Sequence, residues 1–130
     1  MSHPELDCLP RHQAAQEIRE SKEMLEQFLG QSVGSFAYPH GYYDHEIRQM
    51  VVDSGYSSAS AVKDALSHAD DDQFALARIT VKADLDESKI DQVLAGEGFA
   101  RARRRQKWRT RGWRQVRRWQ YRQQHSEAAA

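Results

Sequence analysis

Between residues 11 and 94 the hydrophobic residues keep two periods in turn, and this alternation constrains the fold more than any other feature of the chain. Over 11–29, Ala14, Ala15, Ile18, Leu25, Phe28 and Leu29 fall on one helical face, while Glu17, Glu20, Lys22, Glu23 and Glu26 occupy the rest. Gly30 follows as a stop, because glycine tolerates the left-handed conformation that ends many helices. Residues 33–38 form a short apolar and aromatic run closed by Pro39 and Gly41, the pattern of a strand entering a loop. Asp44 stands where it can cap a second helix, with Ile47, Met50 and Val51 inward and Gly55 at its end. A second strand is expected over 56–62, weakened by its serines, a better one over 74–81, and a short last helix over 86–94 carrying Ile90, Val93 and Leu94.

Helices alternating with short strands over brief connections predict an α/β architecture with parallel strands. Three such strands cannot close a barrel. Parallel strands ordinarily have both faces covered, so the pattern leaves apolar edges and faces for further chain or for self-association.

At 130 residues the chain has room for one modest domain. Its 39% hydrophobic and 29% charged residues exclude both an integral membrane protein and a plainly disordered one, while a mean hydropathy of -0.86 implies that part of it lies outside any core. The opening MSHPELDCLP has neither a basic nor an apolar signal region, and no run approaches the ~20 apolar residues that span a bilayer, so the expected location is cytoplasmic by default. The one cysteine, Cys8, excludes an internal disulfide framework and reads as an inert thiol.

The formal net charge of zero hides a sharp division. Residues 1–98 hold 8 Lys/Arg against 18 Asp/Glu, whereas 99–130 hold 11 against a single Glu. A boundary near 96–98 therefore divides an α/β part, 1–98, from a basic Arg/Trp-rich tail, 99–130. If the tail is helical, Trp108, Gly112, Val116 and Trp119 share one side, making a basic amphipathic helix. Such a segment suits an anionic partner, nucleic acid or a membrane surface, with salt-sensitive binding. It suits equally a return onto the acidic part of its own chain, and, since no nucleic-acid-binding motif accompanies it, a solvated or self-associating appendage is the first reading.

Two segments carry a resemblance. SHPELDCLPRHQAAQEIRESKEMLEQFLG has a His-Pro followed by a helix with a Glu-Ile-x-x-Ser-Lys-x-x-Leu-Glu pattern, and VGSFAYPHGYYD is followed by a helix, Gly55-Tyr56 and the Leu-x-Arg-Ile stretch at Leu76 to Ile79. In this order and spacing, over roughly residues 2–96, the chain resembles the C-terminal part of the polysaccharide deacetylase (NodB-homology) domain. The resemblance implies a distorted (β/α) barrel, present here only in part, with its chemistry at the C-terminal ends of the strands. It implies metal-assisted removal of the acetyl group from N-acetylated sugars or polysaccharide. In that reaction an Asp-His-His set holds a divalent ion, zinc being expected, a second Asp acts as base, and a backbone amide stabilises the oxyanion.

Carried onto this sequence, His3 matches the second metal-binding histidine of the His-Thr/Ser-x-x-His-Pro motif and Pro4 its proline. The partner histidine would fall two positions before Met1, and the segment bringing the base and the metal-binding Asp is not in the chain. The expectation is a chain cut off upstream and inactive alone. Pro39 matches the proline of the family's Arg-x-Pro-Tyr motif, which puts His40 at the oxyanion-donating amide. Here the chain departs from the pattern, with Ala37 in the place of the arginine and His40 in that of the tyrosine. By this resemblance the candidate catalytic residues are His40, Tyr38 and Arg78, the last supplying the missing guanidinium from its strand. Tyr42 and Tyr43 are candidate substrate-binding rings, and His3 is the metal ligand. The blander readings are a turn residue for His40, packing for at least one of the three tyrosines and a salt bridge for Arg78. Leu66-Ser67-His68 has the letters of the family's late acid motif but precedes Asp70-Asp71-Asp72 instead of following a late strand, and the triplet reads as a solvated loop.

Overall fold

In a computed structural model of the 130-residue chain, the described residues are 5–62, 65–80, 83, 86–97, 112–113, 115–119, 121 and 123. His3, Trp108 and most of the tail lie outside them.

The first helix, α1, runs Arg11–Leu29, and Gly30 ends it at φ 66° with its N–H on the carbonyl of Glu26. Only the N-terminal half of its apolar face is covered. Ala14 and Ile18 are buried, whereas Leu25 and Leu29 are about half exposed and Phe28 is 87% exposed. The expected stripe is present, but its second half is left largely exposed among the described residues.

Strand β1 is Ser35–Ala37, shorter than the apolar run around it. After the 3-10 turn Pro39–Gly41 comes α2, His45–Asp53, whose N-cap Asp44 accepts from the N–H of Ile47 at 2.9 Å. Ile47 and Val51 are fully buried, as their spacing predicts. β2 is Ser58–Val62, β3 is Leu76–Arg78, and α3 is Glu87–Leu94, capped by the Asp86 carboxylate on the N–H of Lys89.

The strands form one parallel sheet in the order β1-β2-β3, with Phe36 opposite Ala59 and Ala61 opposite Ala77. The α/β class and the parallel pairing expected from the sequence are thus observed. The sheet of the described residues is open, not a closed barrel. Its central strand is made of serines and small apolar residues. Ala59 and Ala61 are buried in one core with Leu6, Ala14, Ile18, Tyr38, Ile47, Val51 and Tyr56, and α1 packs against α2. Tyr56 reaches under α1, with Lys22 over its ring.

Candidate active-site turn

The turn after β1 is built from its backbone outward. The N–H of Tyr38 donates to the carbonyl of Ser60 at 3.1 Å, carrying the β1–β2 pairing one residue past the strand. Pro39 has no N–H to continue a ladder, and the chain curls instead: Gly41 N–H donates to Tyr38 at 2.8 Å and Tyr42 N–H to Pro39 at 3.1 Å. His40 between them takes φ 53°, ψ 7°, the only non-glycine with positive φ among the described residues. This left-handed conformation costs an L-residue about 1–2 kcal/mol. Histidine is among the side chains enriched there, and such strain gathers at functional sites.

Arg78, from the end of β3, reaches across to this turn and donates through Nη2 to the Tyr38 carbonyl at 3.3 Å. That carbonyl therefore receives both Gly41 and Arg78, and the turn is fixed from the sheet side. The guanidinium that the sequence leads one to expect at the site from Arg78 holds main chain of the turn here.

Tyr38 corrects an expectation. Its ring is 1% exposed, edge-on to Phe36 at 5.4 Å and stacked on Tyr43 at 4.6 Å, and its hydroxyl donates to the carbonyl of Phe74 at 2.9 Å. Burial, with Tyr43 beside it, pushes the phenol well above its usual range. Tyr38 is a core residue that shapes the turn and presents no face to a substrate. Tyr43 is half-buried against it, and His40 is exposed, its ring 6.3 Å from that of Tyr42.

Tyr42 leads to a second set of contacts that the motifs did not announce. The guanidinium carbon of Arg117 lies 3.5 Å from the centre of its ring. Arg117 donates through Nη2 to Asp7 Oδ2 at 2.7 Å, and its Nε stands 3.6 Å from Glu5. Arg118 donates through Nε to the Asp7 carbonyl at 2.7 Å and through Nη2 to Asp44 Oδ2 at 2.8 Å. Asp44, already the cap of α2, also takes Arg11 at 3.0 Å. The chain is helical at 112–113, 115–119, 121 and 123, so two arginines of the basic tail fold back onto the acidic part. Asp7 is the residue the sequence reading missed. It lies four residues after His3 and is 1% exposed, and the one signal for it was the opposed charge of the two parts of the chain.

His3, the expected metal ligand, lies outside the described residues. A little later in the sequence, Glu5, Asp7 and Cys8 bring three ligand-type atoms within 4.8 Å of one another. They do not fit a resident divalent ion. Asp7 and Glu5 face the Arg117 guanidinium, and Cys8 donates its thiol proton to Glu5 at 3.3 Å. Burial and the two carboxylates push that thiol up to about 12, whereas a metal needs the thiolate.

The Asp70-Asp71-Asp72 loop is ordered by its own contacts. Asp71 accepts from the N–H of His68 at 2.9 Å, and Asp72 binds Arg48 through two hydrogen bonds of 2.7 Å. His68 is exposed in this loop, and Ser67 accepts from the N–H of Ala77.

With the turn and its neighbours in place, the comparison with known families is direct. Residues 1–59 match the polysaccharide deacetylase family model. This part of the chain is similar to that family. The match holds Asp7, the whole Tyr38–Gly41 turn, Tyr42, Tyr43 and Asp44, and it ends before Arg78, Arg117 and Arg118. Among solved structures, the Streptococcus pyogenes deacetylase PplD, determined in complex with acetate, superimposes with a TM-score of 0.66. It is 23% identical, and the likeness covers 71% of this chain and 41% of PplD, so the chain spans less than half the length of that deacetylase. At this identity the likeness shows the shared fold. No curated protein sequence gives a significant match.

Proposed function

We propose that this chain carries the oxyanion side of a carbohydrate N-deacetylase, an enzyme that hydrolyses the N-acetyl amide of N-acetylated sugars or polysaccharide. The observation that carries the reading is the strained His40 in a turn held by Arg78, inside the segment that matches the family. In the proposed reaction water adds to the acetyl carbonyl, the carbonyl oxygen takes negative charge, and collapse breaks the C–N bond to give acetate and a free amine. A main-chain N–H at His40 stabilises that oxyanion, a role that survives replacement of the family's tyrosine because the donor is backbone. Pro39, the Gly41 and Tyr42 hydrogen bonds and the Arg78 guanidinium set its direction beforehand, so no reorganisation is needed as charge develops. Tyr42 and Tyr43 are the rings nearest the turn for a sugar to meet, with Tyr43 braced by Tyr38.

The family is generally metal-dependent. Since Glu5, Asp7 and Cys8 do not fit an ion, His3 is the candidate ligand of this chain and zinc the candidate metal. One imidazole does not fix an ion. The chain alone is therefore proposed to bind the acetylated sugar and to release acetate no faster than background.

The test compares N-acetylglucosamine oligomers with their fully deacetylated counterparts by titration into the labelled chain, with acetate release followed in added zinc. The reading predicts binding that requires the acetyl group and perturbs residues 39–43. Equal binding of both oligomers, or perturbations that avoid the turn, contradict it. Zinc-dependent acetate release abolished by a chelator contradicts the proposed inactivity of the chain by itself.

A further inference from the structure

The C-terminal helical segment is docked by charge, with Trp113 and Trp119 left outside. Arg117 is 7% exposed, whereas Trp113 is 57% and Trp119 63% exposed. A helix docked by the hydrophobic effect shows the reverse order. What holds this one is a set of ion pairs and charged hydrogen bonds: Arg117 on Asp7, and Arg118 on Asp44 and the Asp7 carbonyl. The fit is incomplete, because Arg117 Nε and Nη1 are buried without a hydrogen-bond partner. Buried donors left unmatched offset part of what the ion pairs contribute. Arg118 is partly exposed, so the attachment is also open to screening by salt, as a purely apolar contact would not be.

The carbon of the Arg117 guanidinium lies over Tyr42, 3.5 Å from the ring centre. A cation on an aromatic face and a sugar ring on that face exclude each other. Both arginines lie beyond the residues that match the family, so this contact is not supplied by the family likeness.

We infer that the C-terminal helical segment is an autoinhibitory strap, in which Asp7 and Asp44 hold Arg117 and Arg118 so that Arg117 covers Tyr42, and loss of these ion pairs uncovers the ring. The strap rests on the contacts of its arginines, while its inhibitory consequence rests on the carbohydrate reading of Tyr42 given above.

Hydrogen exchange resolved by residue, with the Tyr42 ring resonances as second readout, tests it on the full chain. The comparison is the unaltered chain at low and at high salt, on the order of 50 and 500 mM, which spans the range in which screening becomes strong, and the Arg117→Gln, Arg118→Gln double variant at low salt. Opening is expected to speed exchange at 115–119 by at least about tenfold. The Tyr42 resonances should move in the same direction under both treatments, while the amides of β1, β2 and β3 keep their protection. Unchanged exchange at 115–119 at high salt, or an unmoved Tyr42 ring, overturns the strap. The salt arm decides this even if the double variant does not fold. Titration with N-acetylglucosamine oligomers then separates the two ideas. Tighter binding to the opened variant supports inhibition, and equal affinity overturns it. An absence of binding by an opened strap overturns the carbohydrate reading that the inhibition depends on.

Discussion

Cys8 and Tyr38 show how burial, not identity, decides what a reactive-looking side chain does. Cys8 is held protonated by partial burial and by the carboxylates of Asp7 and Glu5, which push its pKa up to about 12. Its folded value lies above the unfolded one, near 9. The stability linked to this thiol is therefore fully present below about pH 9 and is lost as pH climbs toward 12. Two outcomes follow: alkylation by iodoacetamide at pH 8 is slower in the folded chain than in urea, and replacement by serine flattens the alkaline loss of stability over that window. Equal alkylation rates in the two states would contradict the protonated thiol. Tyr38 is the same lesson in a ring. Its hydroxyl satisfies the Phe74 carbonyl, so Tyr38→Phe, which keeps the packing, is expected to cost about 1–2 kcal/mol in urea denaturation. A variant as stable as the parent would show that water satisfies the carbonyl equally well.

At the scale of elements, two N-caps of the same chemistry carry different loads. Asp86 caps α3 at an exposed site, and its partners there are Ser88 and Lys89 from the same helix. Asp44 caps α2 and also gathers Arg11 from α1 and Arg118 from the C-terminal segment. Asp86→Ala is expected to cost about 1 kcal/mol, the ordinary value of a cap, and Asp44→Ala clearly more, on the order of 2–3 kcal/mol, because Arg11 and Arg118 each lose an ion pair as well, Arg11 keeping Glu46. Asp44→Asn, which can still cap, separates the two contributions. Urea midpoints that fall equally for Asp44→Ala and Asp86→Ala would show that the cross-chain pairs contribute nothing. The elements themselves were largely legible from period and punctuation. α1 begins and ends where its apolar face and Gly30 place it, and Asp44 and Asp86 stand at their helix starts. The strands came out shorter than their apolar runs, because pairing stops where a partner strand stops: β1 has only Ser58, Ala59 and Ser60 opposite it. Period alone also could not say which part of an apolar face would be covered. Leu25, Phe28 and Leu29 carry the same signal as Ala14 and Ile18 but stay about half exposed or more.

The whole molecule is tied together by contacts that no local pattern encodes. Arg117 meets Asp7 across 110 residues and Arg118 meets Asp44 across 74. A basic tail beside an acidic body made such pairs possible without saying which arginine would turn inward, and the helical spacing of Trp113, Val116 and Trp119 points to the opposite face as the buried one. The turn was more legible, since Pro39 and Gly41 announce it, but its rigidity depends on Arg78 from another strand. That rigid turn is the centre of the functional account, and acetate, the product of the proposed reaction, is its simplest probe. Titrating acetate into the 15N-labelled chain, unaltered and as His40→Gly, tests whether a backbone donor there receives the acyl oxygen. The account predicts saturable shifts of the amides at 40–42 in both proteins, because glycine keeps the N–H and adopts the left-handed conformation without strain. Shifts that gather at Arg117, or that vanish when the imidazole is removed, would contradict it.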